Sequence, residues 1–201
     1  QSLELLHPRV APLRTGASLD TNLEMGPLVT KEHREKVMNY IQMAEDEGSR
    51  LVVDGRDFVC DGHENGFFLG GSLIDNVTPE MQSYQEEIFG PVLQIMRVGS
   101  FEEGASLATD HPYGNGTSIF TKNGAAARTF ADKVEVGMVG INVPIPVPLA
   151  FHSFGVWKSS AFGDHNQNCM EALRFYTKVK TVTTRSMESG HHSDYTIPLL
   201  K

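Results

Sequence analysis

Cysteine is almost absent from this chain: Cys60 and Cys169 are the only two in 201 residues. Two thiols so far apart build no disulfide framework, which points to a reducing compartment. Long apolar runs are also missing, since no window approaches the roughly 18 uncharged residues that a membrane-spanning helix needs, so no membrane association is expected. Basic residues are outnumbered, 17 Lys and Arg against 25 Asp and Glu, and the net charge of -8 repels phosphate backbones. Nucleic acid is therefore not an expected partner. The start, Gln1-Ser2-Leu3-Glu4, has no initiator Met and no basic stretch followed by an apolar one. It reads as a cut end without a secretory signal.

Self-contained catalytic signatures are lacking too. There is no Walker-type phosphate loop, no Gly-x-Gly-x-x-Gly, no His-Glu-x-x-His and no Gly-x-Ser-x-Gly. Cys60, Asp61, His63 and Glu64 crowd one turn but offer a single soft ligand, so no metal site is expected there. His191 and His192 fall in a polar tail and carry no expected role. Both thiols read as small buried hydrophobes, because nothing beside them in sequence argues for a depressed pKa.

What is present is the balance of a globular protein, 40% hydrophobic and 21% charged. A chain of this size buries roughly 70% of its unfolded surface without help from disulfides or metal. Thr30 and Gly48 bracket a helix from Lys31 to about Glu47, with Val37, Tyr40, Ile41 and Ala44 as its apolar stripe. Leu51 to Val53 reads as a strand, Phe58 to Leu69 as strand and loop, and Val92 to Met96 as a strand entered through Pro91. Ser100 and Glu103 form a capping-box pattern for a helix to about Asp110. Thr117 to Thr121 is a strand, Asn123 caps an Ala-rich helix to about Lys133, and Met138 to Val143 is another strand. Alternating strands and helices predict an α/β fold, a mostly parallel twisted sheet with helices on both faces. Pro144, Pro146 and Pro148 then open an irregular stretch to Gly163 suited to a stiff functional loop. Tyr176 to Thr184 alternates β-branched and polar residues as an edge strand does, and Met187 to Lys201 reads as a mobile tail.

The most informative run is Gln85-Glu86-Glu87-Ile88-Phe89-Gly90-Pro91-Val92, which sets two carboxylates and a ring on one tight connection into a buried strand. These residues resemble the aldehyde dehydrogenase superfamily. Met25-Gly26-Pro27-Leu28-Val29, Pro112-Tyr113-Gly114-Asn115-Gly116-Thr117, Gly137-Met138-Val139-Gly140-Ile141-Asn142 and Phe175-Tyr176-Thr177 occur there in the same order, and the likeness runs from about Leu13 to Arg185. The stretch from Gly140 to Leu149, with Phe154-Gly155 and Trp157-Lys158-Ser159-Ser160, is similar to the methylmalonate-semialdehyde dehydrogenase branch.

The resemblance implies an NAD-dependent oxidation of (methyl)malonate semialdehyde, in which a cysteine thiolate takes the aldehyde and coenzyme A, as co-substrate, receives the acyl group with loss of carbon dioxide. It assigns Glu87 to the nicotinamide-ribose hydroxyls, which a carboxylate with two acceptor oxygens suits. Phe89 presses on the nicotinamide side, Asn142 ends a strand beside the catalytic centre, and Phe154 shapes the aldehyde entrance. The bland readings are a cap carboxylate, two core rings and a turn Asn. In the resembling family the nucleophilic cysteine and the nucleotide-binding domain precede all these motifs, which places them before Gln1. No catalytic nucleophile is therefore expected in this chain, and the isolated chain is expected to be inactive. Cys169 falls where that family has a Gly, and Val156 and Ala172 replace two more, a source of strain if those positions need positive φ.

The expected organisation is a partial catalytic domain over residues 1–163, a segment 164–186 with an oligomerisation strand at 175–184, and a flexible tail over 187–201. A homo-oligomer joined through 175–184 is the expected assembly. A catalytically dead interaction module is the alternative. The compartment implied by the resemblance is the bacterial cytoplasm or the mitochondrial matrix.

Overall fold

The computed structural model describes residues 2–17, 19–166 and 168–184. Helix α1 (Ser2–Val10) packs on the first two strands. No helix is expected there, since Pro8 within its span reads as a breaker. Helix α2 (Lys31–Asp46) begins where the Thr30 hydroxyl accepts the His33 amide proton at 3.1 Å, and Gly48, at φ 97°, lies just past its end. Val37, Tyr40, Ile41 and Ala44 are its buried residues, the stripe that helical spacing marks out.

Strand β1 (Arg50–Val53) pairs antiparallel with β2 (Ser72–Asp75), and β2 pairs parallel with β3 (Val92–Gln94). Between β2 and β3 lies the short helix α3 (Gln82–Gln85). Phe58 to Leu69 contains turns but no strand, a correction to the expected reading. The regular hydrogen bonding starts at Ser72 and buries all four residues of β2. Leu69, Ile74, Val77 and Met81 close with α2 into the first core.

Helix α4 (Phe101–Asp110) is capped by Ser100, whose hydroxyl accepts from the Glu103 amide at 3.1 Å, while the Glu103 carboxylate accepts from the Gly99 amide at 2.6 Å. Strands β4 (Tyr113–Gly114) and β5 (Gly116–Ile119) follow. Helix α5 (Gly124–Lys133) starts where the Asn123 side chain accepts from the Ala125 and Ala126 amides. Strand β6 (Met138–Ile141) returns parallel to β5, the helical crossover that alternation predicts. Ala105, Phe130, Val134 and Val136 form a second core between α4 and α5. Strand β7 (Trp157–Lys158) pairs antiparallel with β4. Of the two expected crossovers, the one through α5 is parallel, whereas β3 and β5, which flank α4, do not pair among the described residues and lie in separate sheets. The parallel pair β2–β3 and the antiparallel pairs β1–β2 and β4–β7 add what alternation of elements does not indicate.

Helix α6 (Cys169–Tyr176) corrects the start of the expected terminal strand, since Phe175 and Tyr176 are helical. Met170, Glu171, Ala172, Leu173 and Arg174 all favour helix, and Glu171 pairs with Arg174 at 3.1 Å. The β-branched alternation begins only at Thr177, and from there to Thr184 the described chain is exposed and pairs with no other strand of the described residues. Residues 185–201, including the expected tail, lie outside the described residues.

One charge is buried in this frame. Asp75 at the end of β2 is 2% exposed, and Arg97 reaches it with Nη2 donating to Oδ2 at 2.9 Å and Nη1 lying 2.6 Å from Oδ1, while Arg50 stands at 3.6 Å. Burial pushes its carboxyl up, but the Arg97 hydrogen bond, the Asn76 amide and the charges of Arg97 and Arg50 outweigh it and hold it below the usual carboxylate range. A depressed folded-state pKa stabilises fully above the unfolded value, and this stabilisation is lost as pH falls through the folded one. Arg97→Met should destabilise the fold by about 2 kcal/mol, below the ~3–5 kcal/mol typical of a severed buried pair because Arg50 remains. Urea unfolding against pH checks this: below the unfolded carboxylate pKa the variant should lose less stability on acidification than the parent, because its folded Asp75 pKa lies closer to the unfolded one.

Candidate cofactor and active site

The Glu86–Gly90 link leaves α3 and turns into β3 through Pro91. Glu87 is exposed, and Phe89 two residues later is 74% exposed with φ 54°. A bulky residue in the left-handed region costs roughly 1–3 kcal/mol and persists only where its surroundings hold it. Part of that hold comes from α2: the Phe89 carbonyl accepts a hydrogen bond from His33 Nε2 at 2.8 Å, so that nitrogen carries a proton, and the two rings meet edge to face at 6.3 Å.

Phe89, Gly90, Pro91 and Leu69 form one wall of an apolar groove of about 490 Å³ whose other wall is Met25 to Leu28. Two stretches that the sequence singled out separately thus face each other across one cleft. A flat heterocycle seated there would have the Phe89 ring beside it, and the exposed Glu87 carboxylate, two residues away, could accept from a vicinal diol. The neighbouring Glu86 accepts from the Tyr40 hydroxyl and from Gln82 Nε2, and these hold its carboxyl below the usual range.

Asn142 sits elsewhere, at the end of β6. Its amide donates to the Ile119 carbonyl at 2.8 Å, its Oδ1 accepts from the Thr121 amide at 2.8 Å, and its Nδ2 donates to the Thr121 carbonyl at 3.0 Å. The side chain thereby continues the β5–β6 ladder by one step, and φ 58° turns the chain toward Pro144. Phe154 is half-buried and lines a different cavity, of about 910 Å³, formed by residues 153–158, 160–166 and Phe175. Asn166 Nδ2 donates to the Phe154 carbonyl.

The loop carrying Phe154 is tied down by contact of two backbones. A Cβ on Gly137 would lie 2.1 Å from the Gly155 carbonyl oxygen, and one on Gly155 would lie 2.1 Å from that of Gly137, so neither position accepts a side chain. Lys158 Nζ donates to the Thr109 and His111 carbonyls at the end of α4. Val156 and Ala172 lie outside the left-handed region, so that source of strain does not arise, whereas Cys169 has φ 54°.

Neither thiol faces the groove. Cys60 is half-buried in a cavity of about 330 Å³ with Lys31, Arg34 and His63, and Cys169 is exposed at the start of α6. The sequence missed His33, which contacts the motif directly. Its place four residues before Val37 on the helix was the available signal.

The chain matches the aldehyde dehydrogenase family over residues 1–182. It belongs to that family. It is 54% identical over 197 residues to the malonate-semialdehyde dehydrogenase of Pseudomonas aeruginosa, covering 97% of this chain and 40% of that protein. It is 44% identical to the mitochondrial acylating methylmalonate-semialdehyde/malonate-semialdehyde dehydrogenase of Bos taurus, over 90% of this chain and 34% of that protein. The crystal structure of methylmalonate-semialdehyde dehydrogenase from Oceanimonas doudoroffii superposes with a TM-score of 0.88 at 53% identity, covering 93% of this chain and 38% of that one. Betaine aldehyde dehydrogenase of Staphylococcus aureus in complex with NAD+ gives 0.78 at 32% identity, over 86% and 34%. This aldehyde dehydrogenase chain thus spans about two-fifths or less of the length of these relatives, and its α/β fold is that of their catalytic-domain type.

Proposed function

We propose that this chain is a portion of an NAD-dependent, coenzyme A-acylating (methyl)malonate-semialdehyde dehydrogenase. The observation that carries the reading is the apolar groove between Met25–Leu28 and Phe89–Pro91 with the Glu87 carboxylate close by. The groove supplies an exposed ring, and Glu87, outside its lining but two residues along the same link, supplies a solvent-facing pair of acceptor oxygens for a nicotinamide ribose. NAD would supply the hydride acceptor. Glu87 would hold the two ribose hydroxyls, Phe89 would confine the ring beside it, and Phe154 would shape the aldehyde path. Asn142, spent on Thr121, would fix the end of β6 beside that path. Support for the substrate class is the likeness to malonate- and methylmalonate-semialdehyde dehydrogenases, one of them acylating.

The test is reconstitution. Exchanged into the P. aeruginosa relative in place of its matching portion, the chain should yield NADH and acetyl- or propionyl-coenzyme A from the corresponding semialdehyde. A well-folded hybrid that forms neither overturns the reading and favours the dead interaction module, which the exposed Ile145, Leu149, Phe151 and Phe162 would also suit.

The same reading includes assembly as a homo-oligomer. Residues 177–184 are exposed and alternating and pair with no strand among the described residues, and a second copy would satisfy such an edge by two-fold pairing. Truncation after Gly163 should convert the oligomer to a monomer or an aggregate in light scattering, whereas unchanged assembly places the interface elsewhere. Among the described residues no helix is long and apolar enough to cross a membrane. The proposed compartment is the bacterial cytoplasm or the mitochondrial matrix, with relatives from a bacterium and one named as mitochondrial in support.

A further inference from the structure

We propose that Tyr40 is a positioning residue for the cofactor site: its hydroxyl holds Glu86 and thereby fixes the direction in which Glu87 projects. The proposal rests on the reading that Glu87 meets the cofactor. His33, Val37 and Tyr40 fall at i, i+4 and i+7 of α2 and so share one face of that helix. Each touches a different point of the motif. His33 Nε2 donates to the Phe89 carbonyl at 2.8 Å, Val37 Cγ1 lies 2.7 Å from where a Cβ on Gly90 would stand, and the Tyr40 hydroxyl donates to the Glu86 carboxylate.

The lengths agree. Seven residues of helix rise about 10 Å, and the four steps from Glu86 to Gly90 span at most about 14 Å when extended. One rigid helix face therefore grips the link at both ends, with Glu87 and Ile88 between the grips. Tyr40 is 5% exposed, and Lys36 Nζ lies over its ring at 5.5 Å. The hydroxyl is what distinguishes it from Phe, and a hydroxyl so placed requires a partner. That partner is the carboxylate adjoining Glu87. The bond and burial together push the Tyr40 phenol above its ordinary range, so the donor proton stays in place at neutral pH.

Without that bond Glu86 keeps only the exposed Gln82 amide, the irregular link loses that anchor to α2, and cofactor binding must then order Glu87. In the P. aeruginosa hybrid, Tyr40→Phe should raise the NAD dissociation constant, measured by calorimetry, about five- to tenfold with kcat nearly unchanged. Glu86→Ala, an exposed change that spares the core and removes the acceptor, should produce the same rise. The double variant should be no worse than either single one, because both remove one interaction. An unaltered dissociation constant in both single variants, or multiplied losses in the double, overturns the proposal. If Glu87→Gln also binds NAD normally, the reading of the site fails and the proposal with it. If Glu87→Gln binds poorly while both variants bind normally, the proposal alone fails.

Discussion

Assayed alone with NAD, coenzyme A and malonate or methylmalonate semialdehyde, the 201-residue chain is expected to form no NADH. Covalent aldehyde oxidation needs a thiolate within reach of both the carbonyl and the hydride acceptor. Cys60 lines a cavity with Lys31, Arg34 and His63, and Cys169 begins an exposed helix, so neither lines the groove at Phe89. A catalytic effect of many orders of magnitude is at stake, since pre-formed donors cannot stabilise an oxyanion that never forms. Turnover comparable to an intact relative would overturn the expectation, and Cys60→Ser and Cys169→Ser would then identify the nucleophile.

In the reconstituted hybrid, Glu87→Gln should lower turnover or cofactor affinity about ten- to a hundredfold, the equivalent of the ~1.5–3 kcal/mol in a hydrogen bond to a charged group. The side chain is exposed, so the substitution removes charge without opening a core. Thermal melting should shift little. Normal kinetics combined with a much lower melting temperature would make Glu87 a structural carboxylate and remove the main support for the site.

The four residues that the resemblance assigned are placed unevenly. Phe89 lines the groove, and Glu87 stands two residues away on the same link. Asn142 has both polar side-chain atoms engaged by Thr121, and Phe154 lines a separate cavity. The motif spelled out the first pair because its chemistry is packed into five consecutive residues. What holds that motif was not legible, because His33 and Tyr40 read as surface and core positions of a helix some fifty residues earlier.

Local chemistry is what the sequence by itself determined. Thr30, Ser100 and Asn123 start helices because a side-chain oxygen reaches an amide two or three residues on, and a spacing of three or four selects Val37, Tyr40, Ile41 and Ala44 for burial. The tertiary structure alone decided what depends on distant partners: burial of β2, antiparallel pairing of β1 with β2 and of β4 with β7, and the meeting of Met25–Leu28 with Phe89–Pro91. It also decided where helix yields to extended chain after Tyr176. A cap is satisfied within one turn of backbone, whereas a strand or a cleft exists only when segments far apart in sequence supply its other side.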